Sequence, residues 1–436
     1  MSKPDLTTEI KGLKFRSPVL PGSSDIILNE RGVERCLQQG VGGIITKSFT
    51  PTRFRTRARP YHFNYRIFGK EFENNFISKG SVYHLHPETV AEKLMPKIVR
   101  LCRDDGVPLI VSIMCGENVD EWTTEARRFE DAGADMLELN LSCPHAGFQI
   151  GKAAGKSLGT NLEMTMAIIR AVKSSVKIPI SPKLSSTLEP FAHHVKGWVE
   201  AGADCITANN APVGIMIDID QEVPFGGLGP GGYTMGRSFL PWSLARIVEI
   251  RGHVDIPIIG VGGINQAQDA IMYLLLGCPA VEMASAINKY GYKLFGEIIK
   301  GIEKWMEKKN YSSIKDFIGK AYKLASLHSS QDLIEMEWPF SGPEEKLSPV
   351  IPLVDFDKCV FCGKCQDFCL SEVFSVDKKR KRLEIHLEER CWGCGDCVGW
   401  CPSNAIKMID GETKEVVWEN KGLAKPYRPE NWKRSG

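Results

Sequence analysis

Eight of the fourteen cysteines lie between Cys359 and Cys401, in two copies of one spacing: Cys359-x-x-Cys362-x-x-Cys365-x-x-x-Cys369 and Cys391-x-x-Cys394-x-x-Cys397-x-x-x-Cys401-Pro402. Three thiolates at three-residue steps, completed by a fourth from farther along the chain, are iron–sulfur chemistry. Zinc is the competing reading, but zinc motifs use Cys pairs parted by longer loops rather than triplets. A second stretch with chemical potential is Leu137-Glu-Leu-Asn140-Leu-Ser142-Cys143-Pro144-His145. It reads as a short buried strand, leucines on one side and Glu138, Asn140 and Ser142 on the other, halted by Pro144. Polar groups alternating inward at a strand end need partners, and a bound heterocycle would supply them. Cys143 follows where strand becomes loop; read alone, it is equally a small hydrophobe buried for packing.

The tandem spacing is that of bacterial two-cluster ferredoxins, in which each copy lends its fourth thiolate to the other's cluster. On that pattern Cys359, Cys362, Cys365 and Cys401 hold one [4Fe-4S] cluster, and Cys369, Cys391, Cys394 and Cys397 hold the second. Leu370 stands where a proline usually follows the fourth cysteine. Such a module moves single electrons, so the rest of the chain should carry a group that converts them to two-electron chemistry, and flavin does that.

The elements that would position this group alternate. Strands are expected at 18–22, 43–49, 108–114, 136–142, 178–184, 205–210, 256–261 and 280–285, with helices between them, among them 121–132, 161–173, 190–201, 241–250 and 267–276. Five helices enter the next strand through a glycine-containing link (Gly40, Gly106, Gly133, Gly202, Gly277), as αβ loops require. Eight β-then-α units make an α/β TIM (β/α)8 barrel, preceded by a hairpin turning at Gly12. The repeated Ala-Gly-Ala-Asp at 132–135 and 201–204 is one αβ turn used twice. Segments 50–90 and 211–235 exceed ordinary βα loops and are expected over the barrel mouth. The expected domains are the barrel over 1–326, a linker at 327–352, a ferredoxin-like domain at 353–410 and a tail at 411–436.

In such barrels a phosphate commonly sits between the loops after strands seven and eight, which here read Val261-Gly262-Gly263-Ile264 and Ala284-Ser285-Ala286. Bare glycine amides and the Ser285 hydroxyl suit a phosphate; ordinary tight turns are the alternative. Lys47 and Lys183 stand on strand ends, where a lysine needs a counter-charge such as an anionic reduced flavin, or snorkels to solvent. Gly227-x-Gly229-x-x-Gly232 matches the dinucleotide fingerprint but follows no strand and opens no helix, so it is rejected as a nicotinamide site.

With Asn140-Leu-Ser-Cys143-Pro-His145, the Gly262-Gly263 turn and the tandem clusters in view, the chain to about residue 410 resembles the flavin-and-cluster half of the dihydropyrimidine dehydrogenase family, with dihydroorotate dehydrogenase as the nearby cousin. The resemblance implies FMN contacts at Gly22, Ser23, Lys47, Asn140, Lys183, Gly262, Gly263, Ser285 and Ala286. It implies substrate contacts at Asn118, Asn140, Ser142, His145 and Asn210, and Cys143 as general acid. Hydride would pass from FMN N5 to a conjugated carbonyl compound, and Cys143 would protonate the adjacent carbon; a thiol pKa of about 8.5 keeps that proton on at neutral pH. Two departures bear on substrate: Ala211 replaces a threonine after Asn210, and the stretch after His145 lacks the family's glycine and methionine pattern.

The net charge of +2 shows no basic excess for nucleic acid or anionic membrane. Met1 to Lys11 has no apolar signal core, and runs such as Ile271 to Leu276 are too short to span a bilayer. A cytoplasmic oxidoreductase of a pyrimidine-like cyclic substrate is expected, working as an oligomer with an FAD/NAD(P)H-dependent partner subunit or a ferredoxin-type donor. The alternatives are a dihydroorotate or cyclic-enone oxidoreductase and, in another class, a non-catalytic electron-transfer subunit.

Overall fold

The computed structural model describes residues 3–51, 65–66, 76–78, 87–144, 154–215, 217–224, 231–234, 236–326, 349–386 and 391–420. His145, the following stretch to 153, the Gly227 and Gly229 turn, most of 50–90 and of the expected linker, and the tail beyond 420 lie outside the described residues. The chain divides into two compact units, Met1–Leu327 and His328–Gly436.

In the first unit, residues Thr8–Ile10 and Leu13–Phe15 form the hairpin. Lys11 and Gly12 at its turn both have positive φ, the geometry whose twist matches that of the flanking strands. Eight parallel strands follow: β1 Val19–Pro21, β2 Ile44–Ile45, β3 Leu109–Ile113, β4 Met136–Leu139, β5 Ile180–Leu184, β6 Ile206–Ala208, β7 Ile258–Val261 and β8 Ala280–Met283. They pair in the order β1-β8-β7-β6-β5-β4-β3-β2. The end strands meet where the Gly42 amide donates to the Val19 carbonyl at 2.9 Å. A Cβ at Gly42 would lie 1.8 Å from the Ser17 carbonyl oxygen, so this closure requires glycine.

Eight helices alternate with the strands: α1 Glu30–Leu37, α2 Met95–Asp104, α3 Val119–Asp131, α4 Leu162–Ser175, α5 Ala192–Glu200, α6 Leu240–His253, α7 Ala267–Leu275 and α8 Lys293–Lys308. Asn29, Asn118 and Asn161 cap α1, α3 and α4 through their side-chain oxygens, satisfying amides that have no intrahelical partner. All five link glycines adopt the left-handed conformation expected of a helix end. The repeated Ala-Gly-Ala-Asp turn has a structural use. Asp135 accepts from the Leu109 amide and Asp204 from the Ile180 amide, each securing the start of a neighbouring strand.

Strand alternation sorts the residues into two faces. Leu109, Val111, Leu137, Leu139, Ile206 and Val281 pack outward into the main core under the helices. Ile45, Ile110, Met136, Cys205, Ile259 and Ala280 point inward at the barrel foot, where Ile10 and Phe15 of the hairpin plug it. The floor is therefore apolar and sealed, which leaves the C-terminal ends of the strands as the open end. No helix among the described residues is long and apolar enough to cross a membrane.

The second unit contains a three-stranded antiparallel sheet, Val350–Val354 beside Ile406–Asp410 beside Val416–Glu419, and a hairpin of Phe374–Asp377 with Arg382–Ile385. The sheet begins within the expected linker and continues into the expected tail. The sequence reading ended this domain at residue 410, but Asp410 accepts from the Glu412 and Thr413 amides and turns the chain back for a third strand.

Candidate functional site

Above the apolar floor the same strands turn polar. Ser112 on β3, Glu138 on β4, Lys183 on β5, Thr207 on β6 and Glu282 on β8 all point into the barrel and are buried. Lys183 Nζ donates to Glu138 Oε2 at 3.0 Å and to Glu282 Oε2 at 2.6 Å. Burial works against the Lys183 charge, but the two carboxylates outweigh it and hold its pKa above the ordinary lysine value. Burial pushes the Glu282 carboxyl well above the usual carboxylate range, with Lys183 opposing and Glu138 adding to the rise. The flavin offered as counter-charge for Lys183 in the sequence reading is therefore not required: the protein supplies two carboxylates of its own.

A chain of hydrogen bonds runs from this trio to the stretch around Cys143. Ser112 Oγ donates to Glu138 Oε1 at 2.8 Å, so its own oxygen accepts from Ser48 Oγ at 2.9 Å. Ser48 in turn accepts from Asn140 Nδ2 at 2.8 Å. Asn140 Oδ1 accepts from Ser142 Oγ at 3.0 Å, and Ser142 Oγ from Asn210 Nδ2 at 3.0 Å. A carboxylate only accepts, so Glu138 fixes the direction of every bond back to Asn210. Among the described residues each amide nitrogen donates one such bond. Cys143 is half-buried, and its carbonyl accepts from the Lys156 amide at 3.0 Å.

Beside this chain, over β5 to β8 and β1, lies an open cleft of about 690 Å³. Of the expected flavin contacts, Gly22, Ser23, Lys183, Gly262, Gly263, Ser285 and Ala286 line it, and so does Asn210. Gly262 has φ +125° and Gly263 +71°; a Cβ at Gly262 would meet Ser243 Oγ at 2.4 Å, and one at Gly263 the Leu240 amide nitrogen at 2.5 Å. The loop after β7 can thus approach α6 closely and leave bare amides only as glycine. Two buried groups lining the cleft have no hydrogen-bond partner among the described residues: both amide atoms of Asn209, and Glu282 Oε1. Buried polar atoms without partners are costly. A planar heterocycle with alternating donors and acceptors on its edge would satisfy both kinds, so these residues fit a flavin.

The other expected residues sit apart from that cleft. Lys47 is ion-paired with Asp25 at 2.9 Å. Asn118 is exposed and uses its side-chain oxygen to cap α3, accepting from the Asp120 amide at 3.0 Å. Asn140, Ser142 and Cys143 lie on the β4 side, joined to the cleft through Asn210. The sequence reading gave no role to Asn209, Ser48, Ser112 or Glu282, and it named Glu138 as an inward polar group without finding its partner. A signal existed for Glu282, a lone charge inside Ala280-Val-Glu-Met283, a barrel strand that is otherwise apolar.

In the second unit the two cysteine loops repeat each other. Phe361 and Gly393, Gly363 and Gly395, and Glu372 and Asn404 occupy equivalent positions, and all six have positive φ. The Val373 amide donates to Cys369 Sγ at 3.4 Å, as the Ala405 amide does to Cys401 Sγ at 3.2 Å. Phe368 and Trp400, each preceding a fourth cysteine, stack with centroids 4.4 Å apart. Cys359, Cys362, Cys365 and Cys401 line one cavity of about 350 Å³. Burial pushes the Cys365 thiol up to about 11, with the other three thiols of that set adding to the rise. Burial likewise pushes Cys397 up to about 12, and its thiol neighbours are Cys391, Cys394 and Cys369. A cavity ringed by four thiols suits a sulfur-bridged cluster, and one N–H donates to the fourth cysteine of each set. In this grouping each copy's fourth cysteine stands with the other copy's first three. Among the described residues no three His, Cys, Asp or Glu side chains are gathered around a single ion.

Residues 5–306 match the dihydroorotate dehydrogenase family model, and residues 358–405 match the 4Fe-4S dicluster domain model. The chain is 30% identical over 319 residues to the catalytic subunit of dihydroorotate dehydrogenase B (NAD(+)) from Pyrococcus abyssi, covering 73% of this chain and all of that protein. It is 31% identical over 318 residues to the same subunit from Methanothermobacter thermautotrophicus, covering 73% of this chain and 98% of that one. It is 27% identical over 426 residues to the NAD-dependent dihydropyrimidine dehydrogenase subunit PreA of Escherichia coli K12, covering 94% of this chain and 96% of that one.

Proposed function

Since the chain belongs to the dihydroorotate dehydrogenase family and carries a 4Fe-4S dicluster domain behind its barrel, we propose that it interconverts a pyrimidine-like cyclic amide and its dihydro form. The observation that carries this reading is the meeting of three things at the barrel mouth: a glycine-lined cleft with orphaned polar atoms, a pair of oriented asparagines, and a thiol. The similarity to the dihydropyrimidine dehydrogenase subunit runs across both units, which favours that substrate class. FMN, when bound, supplies hydride transfer and exchanges electrons singly with the clusters.

The chain's own residues do the rest. Gly262, Gly263 and Ser285 would hold the phosphate, and Gly22, Ser23, Lys183 and Asn209 the ring system. Among the described residues Asn140 and Asn210 each donate through one amide hydrogen, and the second hydrogens of two such donors held in fixed directions would grip the carbonyl groups of a flat ring. Cys143 Sγ–H would give its proton to the carbon next to the one that receives hydride, as a positioned general acid. Cys359, Cys362, Cys365 and Cys401 would hold one cluster, and Cys369, Cys391, Cys394 and Cys397 the other. The electron source would be a partner subunit bearing FAD and the NAD(P)H site, since the sequence offers no nicotinamide site once the glycine fingerprint is rejected.

A second reading, dihydroorotate as substrate, is favoured by the 30–31% identities over the barrel. Ala211, which lines the cleft next to Asn210, bears on the choice, because a missing hydroxyl alters the hydrogen bonds by which such a pocket discriminates. The test is anaerobic mixing of the reduced holoprotein with uracil, thymine, orotate and simple cyclic enones while following flavin absorbance. Reoxidation by uracil or thymine supports the proposal. Reoxidation by orotate alone supports the second reading, and reoxidation by none of them overturns both.

A further inference from the structure

The three-ion cluster below the cleft has an imbalance that flavin binding alone does not explain. It contains one ammonium, Lys183, and two carboxylates. The carboxylates are not equivalent. Both Glu138 oxygens are spoken for, Oε1 by the Ser112 hydroxyl and Oε2 by Lys183. Glu282, a residue of the cleft lining, gives Oε2 to Lys183, while its Oε1 is buried and has no partner among the described residues. Any carboxylate oxygen can take a proton, but Glu282 Oε1 has no hydrogen bond to give up, so a second proton is accommodated there at least cost.

Every neighbouring element supports that assignment. Lys183 meets Glu282 from β5 and Glu138 stands close by on β4. Cys205 at the foot of β6 is kept neutral, because burial pushes its thiol up to about 12. The register partners of Glu282, Val261 on β7 and Leu20 on β1, carry no titratable group. Gly22, just after β1, lies directly against the carboxylate, where a Cβ would come within 3.2 Å of Oε2, so this position puts no side chain beside it.

On the reading that the cleft holds flavin, we propose that Glu282 is a redox-linked proton acceptor: its free oxygen takes up a second proton when the flavin accepts two electrons. The electrons come from the dihydro substrate or from the clusters. One proton accompanies them onto the ring system, the other enters from solvent through the open cleft and forms the Glu282 Oε1–H bond, and no group leaves. Lys183 can balance one carboxylate, so extra negative charge beside the cluster is relieved by neutralising the second. The raised pKa of Glu282, set mainly by burial, puts its protonation within the working pH range instead of below it.

The test compares wild-type holoprotein with Glu282→Gln, which keeps the shape and the acceptor toward Lys183. The flavin midpoint potential is measured by dye-equilibrated anaerobic reduction from about pH 6 to pH 10. Wild type should show an alkaline window in which two protons accompany two electrons, doubling the slope against pH. Glu282→Gln should show one proton throughout and a higher midpoint within that window. Glu138→Gln should move the window to lower pH, because the remaining carboxylate then has Lys183 to itself. One proton per two electrons in wild type at every pH, or identical profiles in wild type and Glu282→Gln, overturns the proposal while leaving the flavin reading intact. A purified protein that neither contains nor takes up flavin overturns both.

Discussion

The barrel mouth and the cysteine unit each build a redox site, and they gather its residues in opposite ways. In the barrel the cleft draws on residues as far apart as Gly22 and Ala286, from the ends of β1 and of β5 to β8. The eight-stranded scaffold with its own large core brings them together. In the cysteine unit the ligands come from two short loops between Cys359 and Cys401, set on a small core of residues such as Val354, Phe374, Val398 and Met408. The barrel can therefore stand without its cofactor. The cysteine unit has too little apolar interior to do so, and metal binding there is folding energy. The sharpest way to break this contrast is Cys397→Ser. We expect iron content to fall by about half and residues 349–420 to become sensitive to protease, with flavin content unchanged. An intact, protease-resistant cysteine unit in the variant would show that its stability does not depend on the clusters.

Within the barrel the largest effect should come from the thiol. Cys143→Ala removes the proposed proton donor but no part of the cleft lining, so turnover should drop roughly 10²- to 10⁴-fold at unchanged flavin content and unchanged Tm. Equal turnover in variant and wild type would favour the electron-relay reading over catalysis.

The legibility of the two sites follows the same contrast. The two groups of four cysteines were readable because a cluster needs its donors at fixed short spacings, and those spacings are printed in the chain. The eight barrel strands were readable because each alternates apolar residues outward, as Leu137 and Leu139 do. Gly262 and Gly263 were readable as a bare turn, but not the clash with Ser243 and Leu240 that makes glycine necessary, since that depends on how α6 packs. The Lys183 trio was half read. The lysine stood out, whereas its partners lie 45 residues before it and 99 after it, and only closure of the barrel joins them. Asn118 reads as a pocket residue and as a helix cap with equal ease, because one amide side chain serves both.

Next in size are two substitutions in that trio with opposite signs. Lys183→Met strands two buried carboxylates and should cost about 3–5 kcal/mol, seen as a lower Tm of the barrel at neutral pH that acid partly restores. Glu282→Gln should do the reverse. The folded-state pKa of Glu282 is raised above its ordinary 4.5, so its contribution is fully present below that value and is lost as pH rises through the folded value. The variant should match wild type in acid and exceed it by a margin that widens as pH rises above the ordinary carboxylate value, seen as a higher Tm. A wild-type barrel whose Tm rises steadily from acid to alkaline pH would contradict the raised carboxyl.

The smallest effect tests whether the two cysteine loops are equivalent in energy as well as in shape. Cys401 to Asn404 form a turn closed by the Asn404 amide donating to the Cys401 carbonyl at 3.2 Å, and Pro402 occupies its second position. The other copy closes the same turn, with the Glu372 amide donating to the Cys369 carbonyl at 3.1 Å, and Leu370 is in the second position, 98% exposed. Proline is favoured at that position because its φ is already set for the turn. Cys369 before it has ψ 102°, in the extended range that a residue preceding proline prefers. Leu370→Pro should therefore restrict the unfolded chain more than it disturbs the folded one, raising the stability of the cysteine unit by about 0.4–1 kcal/mol, with both cluster signals retained. A loss of stability would mean that the backbone of the first loop departs from that of the second at this residue, and that the repeat is one of ligand spacing alone.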